Sequence, residues 1–200
     1  MTRLVVGLGN PGPEYTKTRH NVGFMVLDHL ALHEGLLFQT GSRLENHTGS
    51  RAFAYAESFD PDFVLLKPET YMNRSGQAIA PVAATLGVEP RDILVVYDDM
   101  DLELGHLRIR PHGGAGGQKG MRSTIECLET DQFPRLRVGI GRGPRGAVDH
   151  VLAPFEGDDL VEMEIAVREA ADAILWWVRH GDIEKCMTEF HSRWAAARPD

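Results

Sequence analysis

Apolar residues along this chain fall into two rhythms, and the switches between them mark the predicted elements. Short unbroken runs read as strands buried on both faces: Leu4-Val5-Val6, Phe63-Val64-Leu65-Leu66 and, clearest of all, Ile93-Leu94-Val95-Val96-Tyr97. Arg51 to Ala56 and Leu136 to Ile140 also read as strands, and His106 to Arg110 alternates apolar with polar as a half-exposed strand does. Asn10-Pro11-Gly12-Pro13 and Asp60-Pro61-Asp62 read as turns. Helical spacing runs from Asn21 to about His33, with an apolar face at Val22, Met25, Val26 and Leu30. Ser75 to Leu86 predicts a second helix, with Pro81 bending it or lying near its first turn. Gly113 to Gly117 predicts a flexible loop that leads into a helix ending near Glu129. Beyond Pro154 the pattern turns helical: Asp158 or Asp159 is expected to cap a long helix, Gly181 to close it, and Asp182 to start a last one reaching about Ala197. The tail from Ala195 to Asp200 is expected to fray. Strands alternating with helices predict an α/β domain of three layers.

Composition narrows the class. The 200 residues are 42% apolar, which suits one domain with a single core. The apolar runs fall far short of the ~20 residues a membrane span needs. A strand that begins at once (Thr2 to Gly7) leaves no expected room for a signal peptide. Cys127 and Cys186 are too few for a disulfide framework or a zinc site, and are expected to be reduced thiols of a cytosolic protein. The net charge of −8 argues at first against a nucleic-acid partner. Its distribution reverses the argument. From His106 to Arg145 there are eight Lys/Arg against three acids, so that stretch carries +5, and −8 less +5 leaves −13 on the remainder. A basic face on an acidic protein can hold a phosphate backbone, and a solvated mixed surface is the plainer alternative.

The candidate chemistry lies in three islands, each at the start or end of a predicted strand. The first runs from Gly7-Leu8-Gly9-Asn10-Pro11-Gly12 to Thr18-Arg19-His20-Asn21, the second is Thr70-Tyr71-Met72-Asn73, and the third is Tyr97-Asp98-Asp99-Met100-Asp101-Leu102. Loops at strand ends are where α/β folds gather their sites. A neutral imidazole at His20 can take a proton from water near pH 7. Asp98 can accept the other ring N–H and fix the tautomer. Asp98, Asp99 and Asp101 could equally hold a hard cation. The amides of Asn10 and Asn73 carry both donor and acceptor and suit a carbonyl or a water. Taken singly, each has an ordinary explanation: Asn10 as a turn residue, His20 as a surface histidine, Tyr71 and Met72 as core.

Two glycine patterns are set aside. Gly7-x-Gly9-x-x-Gly12 matches a dinucleotide fingerprint by letter, but Pro11 and Pro13 prevent a helix from starting inside it, and no acid ends a second strand about twenty residues on. The run Gly113–Gly117 with Lys119 lacks the Gly-Lys-Ser/Thr ending of a P-loop, which argues against nucleotide hydrolysis.

The three islands closely resemble those of the bacterial-type peptidyl-tRNA hydrolases, and the likeness runs from Leu4 to about Phe155. The resemblance implies a single α/β domain over residues 1–200, with a twisted mixed sheet flanked by helices and a C-terminal helical segment at 155–197. It implies a cytoplasmic monomer working without metal or cofactor on peptidyl-tRNA, engaged at its acceptor stem and 3′ end. His20 matches the catalytic base and Asp98 its partner. Asn10 and Asn73 match substrate-binding asparagines, and Tyr15, Asn21 and Met72 match residues lining the same cleft. Arg108, Arg110 and Arg137 stand where basic residues are expected to meet tRNA phosphates. One departure is plain: the family commonly reads Gly-Gly-His-Asn-Gly where this chain reads Gly116-Gly117-Gln118-Lys119-Gly120. Lys119 donates hydrogen bonds but cannot accept one, so it suits a phosphate or an oxyanion. A non-catalytic RNA-binding relative and a metal-dependent hydrolase remain the rival readings.

Overall fold

The computed structural model describes residues 2–40, 52–144 and 146–197. Six strands form one sheet: β1 (Arg3–Gly7), β2 (Phe53–Phe59), β3 (Asp62–Pro68), β4 (Ile93–Asp99), β5 (Leu107–Arg110) and β6 (Arg135–Gly139). Their order is β2-β3-β1-β4-β6-β5. The four inner strands run parallel, and the edge strands β2 and β5 pair antiparallel with β3 and β6. The sheet is therefore mixed, as expected. Its inner strands are buried on both faces, which is why β1 and β4 show no polar alternation.

Helices cover both faces. Helix α1 (Val22–His33) lies on one side, with α5 (Asp158–His180) and α6 (Ile183–Ala197). Their core residues include Val26, Leu30, Ala170, Ile174 and Trp177, packed on Val5, Leu94 and Val96. On the other side α2 (Ser75–Leu86) and α3 (Lys119–Leu128) pack Ile79, Val82 and Met121 against Leu4, Val6, Val95 and Tyr97. Alternate residues of one strand thus serve two cores. Among the described residues, no helix is long and apolar enough to cross a membrane. Both thiols are free, Cys127 exposed and Cys186 buried.

Several expectations change in detail. Pro81 sits in the middle of α2 and the helix runs through it. The carbonyl that loses a partner belongs to exposed Gln77, where water can replace the bond. Neither Asp158 nor Asp159 caps α5: Gly157 holds that place, and the two acids form the first turn, where the helix dipole favours them. A five-residue helix, α4 (Ala147–Val151), appears where no helix was expected. Arg51, Arg145 and the end of the tail, residues 198–200, lie outside the described residues; within them α6 continues to Ala197.

One close approach sets up the site. A Cβ on Gly23 would stand 2.5 Å from both Leu8 N and Val96 O. Without one, α1 starts against the ends of β1 and β4. The 3₁₀ turn Arg19–Asn21 that leads into α1 is thereby held beside the end of β4.

Candidate active site

At the carboxyl ends of the parallel strands lies a cavity of about 500 Å³. Asn10 and His20 reach it from the segment after β1, Tyr71, Met72 and Asn73 from that after β3, and Tyr97 to Asp101 from the end of β4. Gly116 to Lys119 enter from the start of α3. Ala147, Val148, Val151 and Leu152 form an apolar wall from α4 and the residue after it.

His20 and Asp98 meet directly, with Nδ1 and Oδ2 2.8 Å apart. Asp98 is 3% exposed, and the imidazole retains 14% of its surface. A buried carboxylate at Nδ1 makes that nitrogen the donor, so Nε2 keeps its lone pair. The other carboxylate oxygen, Oδ1, accepts from Gln118 Nε2 at 3.0 Å. Arg19, next to His20, turns away: it pairs with Asp159 of α5 at 2.6 Å and lies over the Phe155 ring.

Asn10 is fixed at both backbone and side chain. Its N–H donates to Asn21 Oδ1 and its carbonyl accepts from Asn21 Nδ2, both at 2.9 Å. Its Oδ1 accepts the Met72 N–H at 2.8 Å. Its Nδ2 makes no bond among the described residues, so the free end of this amide is a donor. Asn21, 2% exposed, therefore stands behind Asn10 and does not line the cavity. Tyr15 is also outside the walls, half-buried in the turn after Gly12. Met72 lines the cavity, and exposed Asn73 lines it with its amide free among the described residues. Lys119 is exposed at the first position of α3 and makes no ion pair among the described residues.

The three carboxylates at the end of β4 and just beyond it do not act together. Asp98 faces His20, Asp99 takes the Arg137 guanidinium, and Asp101 takes that of Arg142. No three His, Cys, Asp or Glu side chains converge as a metal cage among the described residues.

The basic segment divides in two. Register places Tyr97 beside Arg137 and Arg137 beside Arg108, so the cavity wall continues outward into arginines on neighbouring strands. Arg108 and Arg110 are exposed on edge strand β5. Arg137 is instead engaged with Asp99; burial would lower its guanidinium, but the bond and charge of Asp99 push it above its ordinary value. Arg135 is buried and donates to the carbonyls of Gly113, Gly114, Asp131 and Phe133. Burial lowers its guanidinium and raises the neighbouring Tyr97 phenol. The glycine run is consequently anchored at its base, and Gly116 and Gly117 hold φ values of 57° and 83°, which only glycine adopts freely.

Sequence reasoning passed over three contributors. Gln118 stood out only as a departure from a pattern, Arg135 only as one of a group of cations, and α4 not at all. A helix of five residues between Gly146 and Pro154 is too short to show a period. The carboxylate contact of Gln118 joins residues 20 apart in sequence and leaves no local signal.

An imidazole oriented by a buried carboxylate, with amide donors around it, is an arrangement that can activate water for hydrolysis. Comparison gives the class its family. The family model for peptidyl-tRNA hydrolase matches residues 4–198. The peptidyl-tRNA hydrolase of Synechocystis sp. is 45% identical over 193 residues, covering 96% of each chain. That of Desulforamulus reducens is 42% identical over 96% of this chain and 89% of its own. A crystal structure of the Acinetobacter baumannii peptidyl-tRNA hydrolase, 32% identical, superposes with a TM-score of 0.82 over 94% of both chains. The chain belongs to the peptidyl-tRNA hydrolase family.

Proposed function

We propose that His20 is the general base for hydrolysis of the ester joining a peptide to the 3′-terminal ribose of tRNA, with Asp98 fixing its tautomer. The observation that carries this reading is the 2.8 Å contact between His20 Nδ1 and buried Asp98 at the floor of the cavity. Nε2 takes a proton from water as the water attacks the ester carbonyl. The oxyanion is steadied by donors around the cavity: Asn10 Nδ2, the Asn73 amide or the Lys119 ammonium. As the intermediate collapses, the imidazolium returns its proton to the departing ribose oxygen. An ester leaves more readily than an amide, so water and one base suffice without a covalent intermediate.

Met72 and the apolar wall of Val148, Val151 and Leu152 receive the peptide side chain next to the ester. Asn21 acts from behind by fixing Asn10. Exposed Arg108 and Arg110, with Arg137 between them and the cavity, meet phosphates of the acceptor stem, a contact that carries no sequence readout. The enzyme works as a monomer in the cytoplasm, where peptidyl-tRNA arises from aborted translation. The test of the metal-dependent rival is turnover in EDTA: full activity supports the His20 reading, and loss restored by Mg²⁺ or Mn²⁺ overturns it. Binding of tRNA with no turnover would favour an RNA-binding relative.

A further inference from the structure

Among the described residues, Gln118 is the one side-chain contact of Asp98 that the mechanism above leaves unused. It is the N-cap of α3, and its Oε1 accepts the Met121 N–H at 2.8 Å. Its Nε2 lies 3.0 Å from Asp98 Oδ1 and 3.2 Å from Met72 Sδ. A helix N-terminus presents only donors, so the amide oxygen must face it. The NH₂ group then has to face Asp98. The start of α3 thereby sets which end of this amide the carboxylate meets.

We propose that Gln118 is a positioning residue for the hydrolysis: its NH₂ group, aimed by α3, locks the Asp98 carboxylate so that Oδ2 receives His20 Nδ1–H. This rests on the reading of His20 and Asp98 as base and partner. A carboxylate held at one oxygen can rotate about its Cβ–Cγ bond, whereas one held at both loses two bonds on rotating. The imidazole tautomer thus depends on a residue whose amide is turned to Asp98 and to the Met121 N–H. Other titratable side chains that line the cavity are Tyr71, Tyr97, Asp99, Asp101 and Lys119, and Arg19 lies on the same turn as His20. Asp99 and Arg19 are each engaged with a partner of opposite charge.

The test uses a swap of amide and carboxylate. Gln118→Glu retains an acceptor for the Met121 N–H but turns a second carboxylate oxygen toward Asp98. It is expected to lower kcat roughly 10- to 100-fold with KM unchanged, a loss of the size seen when the outer-shell partner of a metal-bound residue is removed. In Asp98→Asn, the NH₂ of Gln118 forces the introduced amide to turn its oxygen toward Gln118 and its NH₂ toward His20. That imposes the wrong tautomer, with a loss on the order of 100-fold or more. Adding Gln118→Glu turns the introduced amide back, so the double variant is expected to recover about tenfold or more over Asp98→Asn. The same substitution therefore harms the native enzyme and helps the variant, which no effect on stability alone produces. Native kcat in Gln118→Glu, or a double variant no better than Asp98→Asn, overturns the assignment. Full activity of Asp98→Asn by itself instead overturns the role of Asp98, and the assignment with it.

Discussion

Asn10 owes its usefulness to Asn21. The two hydrogen bonds between the Asn21 side chain and the Asn10 backbone, both 2.9 Å and both buried, reproduce the pairing of one strand with another. Asn21→Ala removes both and leaves a buried N–H and C=O unmet, a loss of about 1–3 kcal/mol for each buried group so stranded. The expected result is a lower Tm and a raised KM, because Asn10 loses its fixed direction; thermal melts and steady-state kinetics check the two together. At this scale much of the site was legible. His20, Asp98, Asn10, Met72 and Asn73 stand around one cavity, as their places in the three islands suggested, and Lys119, singled out by the family pattern, stands there too. Tyr15 and Asn21 do not line it, because a strand-end loop has an inner and an outer side that sequence spacing does not distinguish.

Among the elements, α6 is tied to the sheet by an unusual bond. The Ile109 N–H of edge strand β5 donates to His191 Nε2 at 2.9 Å. Burial, then the charges of Arg110 and Arg108, lowers the pKa of His191, and protonation would also remove the lone pair that the Ile109 amide uses. The folded state therefore binds fewer protons than the unfolded one, whose histidine titrates near pH ~6.5. This contribution is complete above that pH and declines as pH falls below it. Wild type is expected to lose more Tm between about pH 7.5 and 5.5 than His191→Gln, which accepts the same bond without titrating; equal losses would contradict it. The strands were readable because β1, β3 and β4 are buried on both faces and appear as unbroken apolar runs. The start of α5 was misplaced by a residue or two, because acids favoured by the helix dipole resemble capping acids in sequence. Helix α4 went unread although it supplies the apolar wall.

Over the whole molecule the sign of the surface decides how a substrate of many phosphates approaches. A protein of net charge −8 must hold RNA locally, and the sheet edge beside the cavity offers Arg108 and Arg110 without carboxylate partners among the described residues. Binding of tRNA is expected to weaken as salt rises. Arg108→Ala and Arg110→Ala are each expected to reduce the slope of log K against log salt by about 1 while leaving kcat unchanged. Arg137→Ala is expected to do more, since it also releases Asp99 at the cavity wall. A flat salt dependence would remove the basic face from the account. The sequence count of +5 was correct as a sum but silent on partition: Arg135 serves the fold, Arg137 and Arg142 face acids, and among the described residues Arg108, Arg110, Lys119 and Arg122 are exposed.

The most direct test of the central claim is release of an N-blocked aminoacyl group from tRNA, measured for wild type and His20→Ala with EDTA present. Wild type is expected to turn over, and His20→Ala to lose on the order of 10²- to 10⁴-fold in kcat while still binding tRNA. Equal release by both would contradict the assignment of His20 as the base.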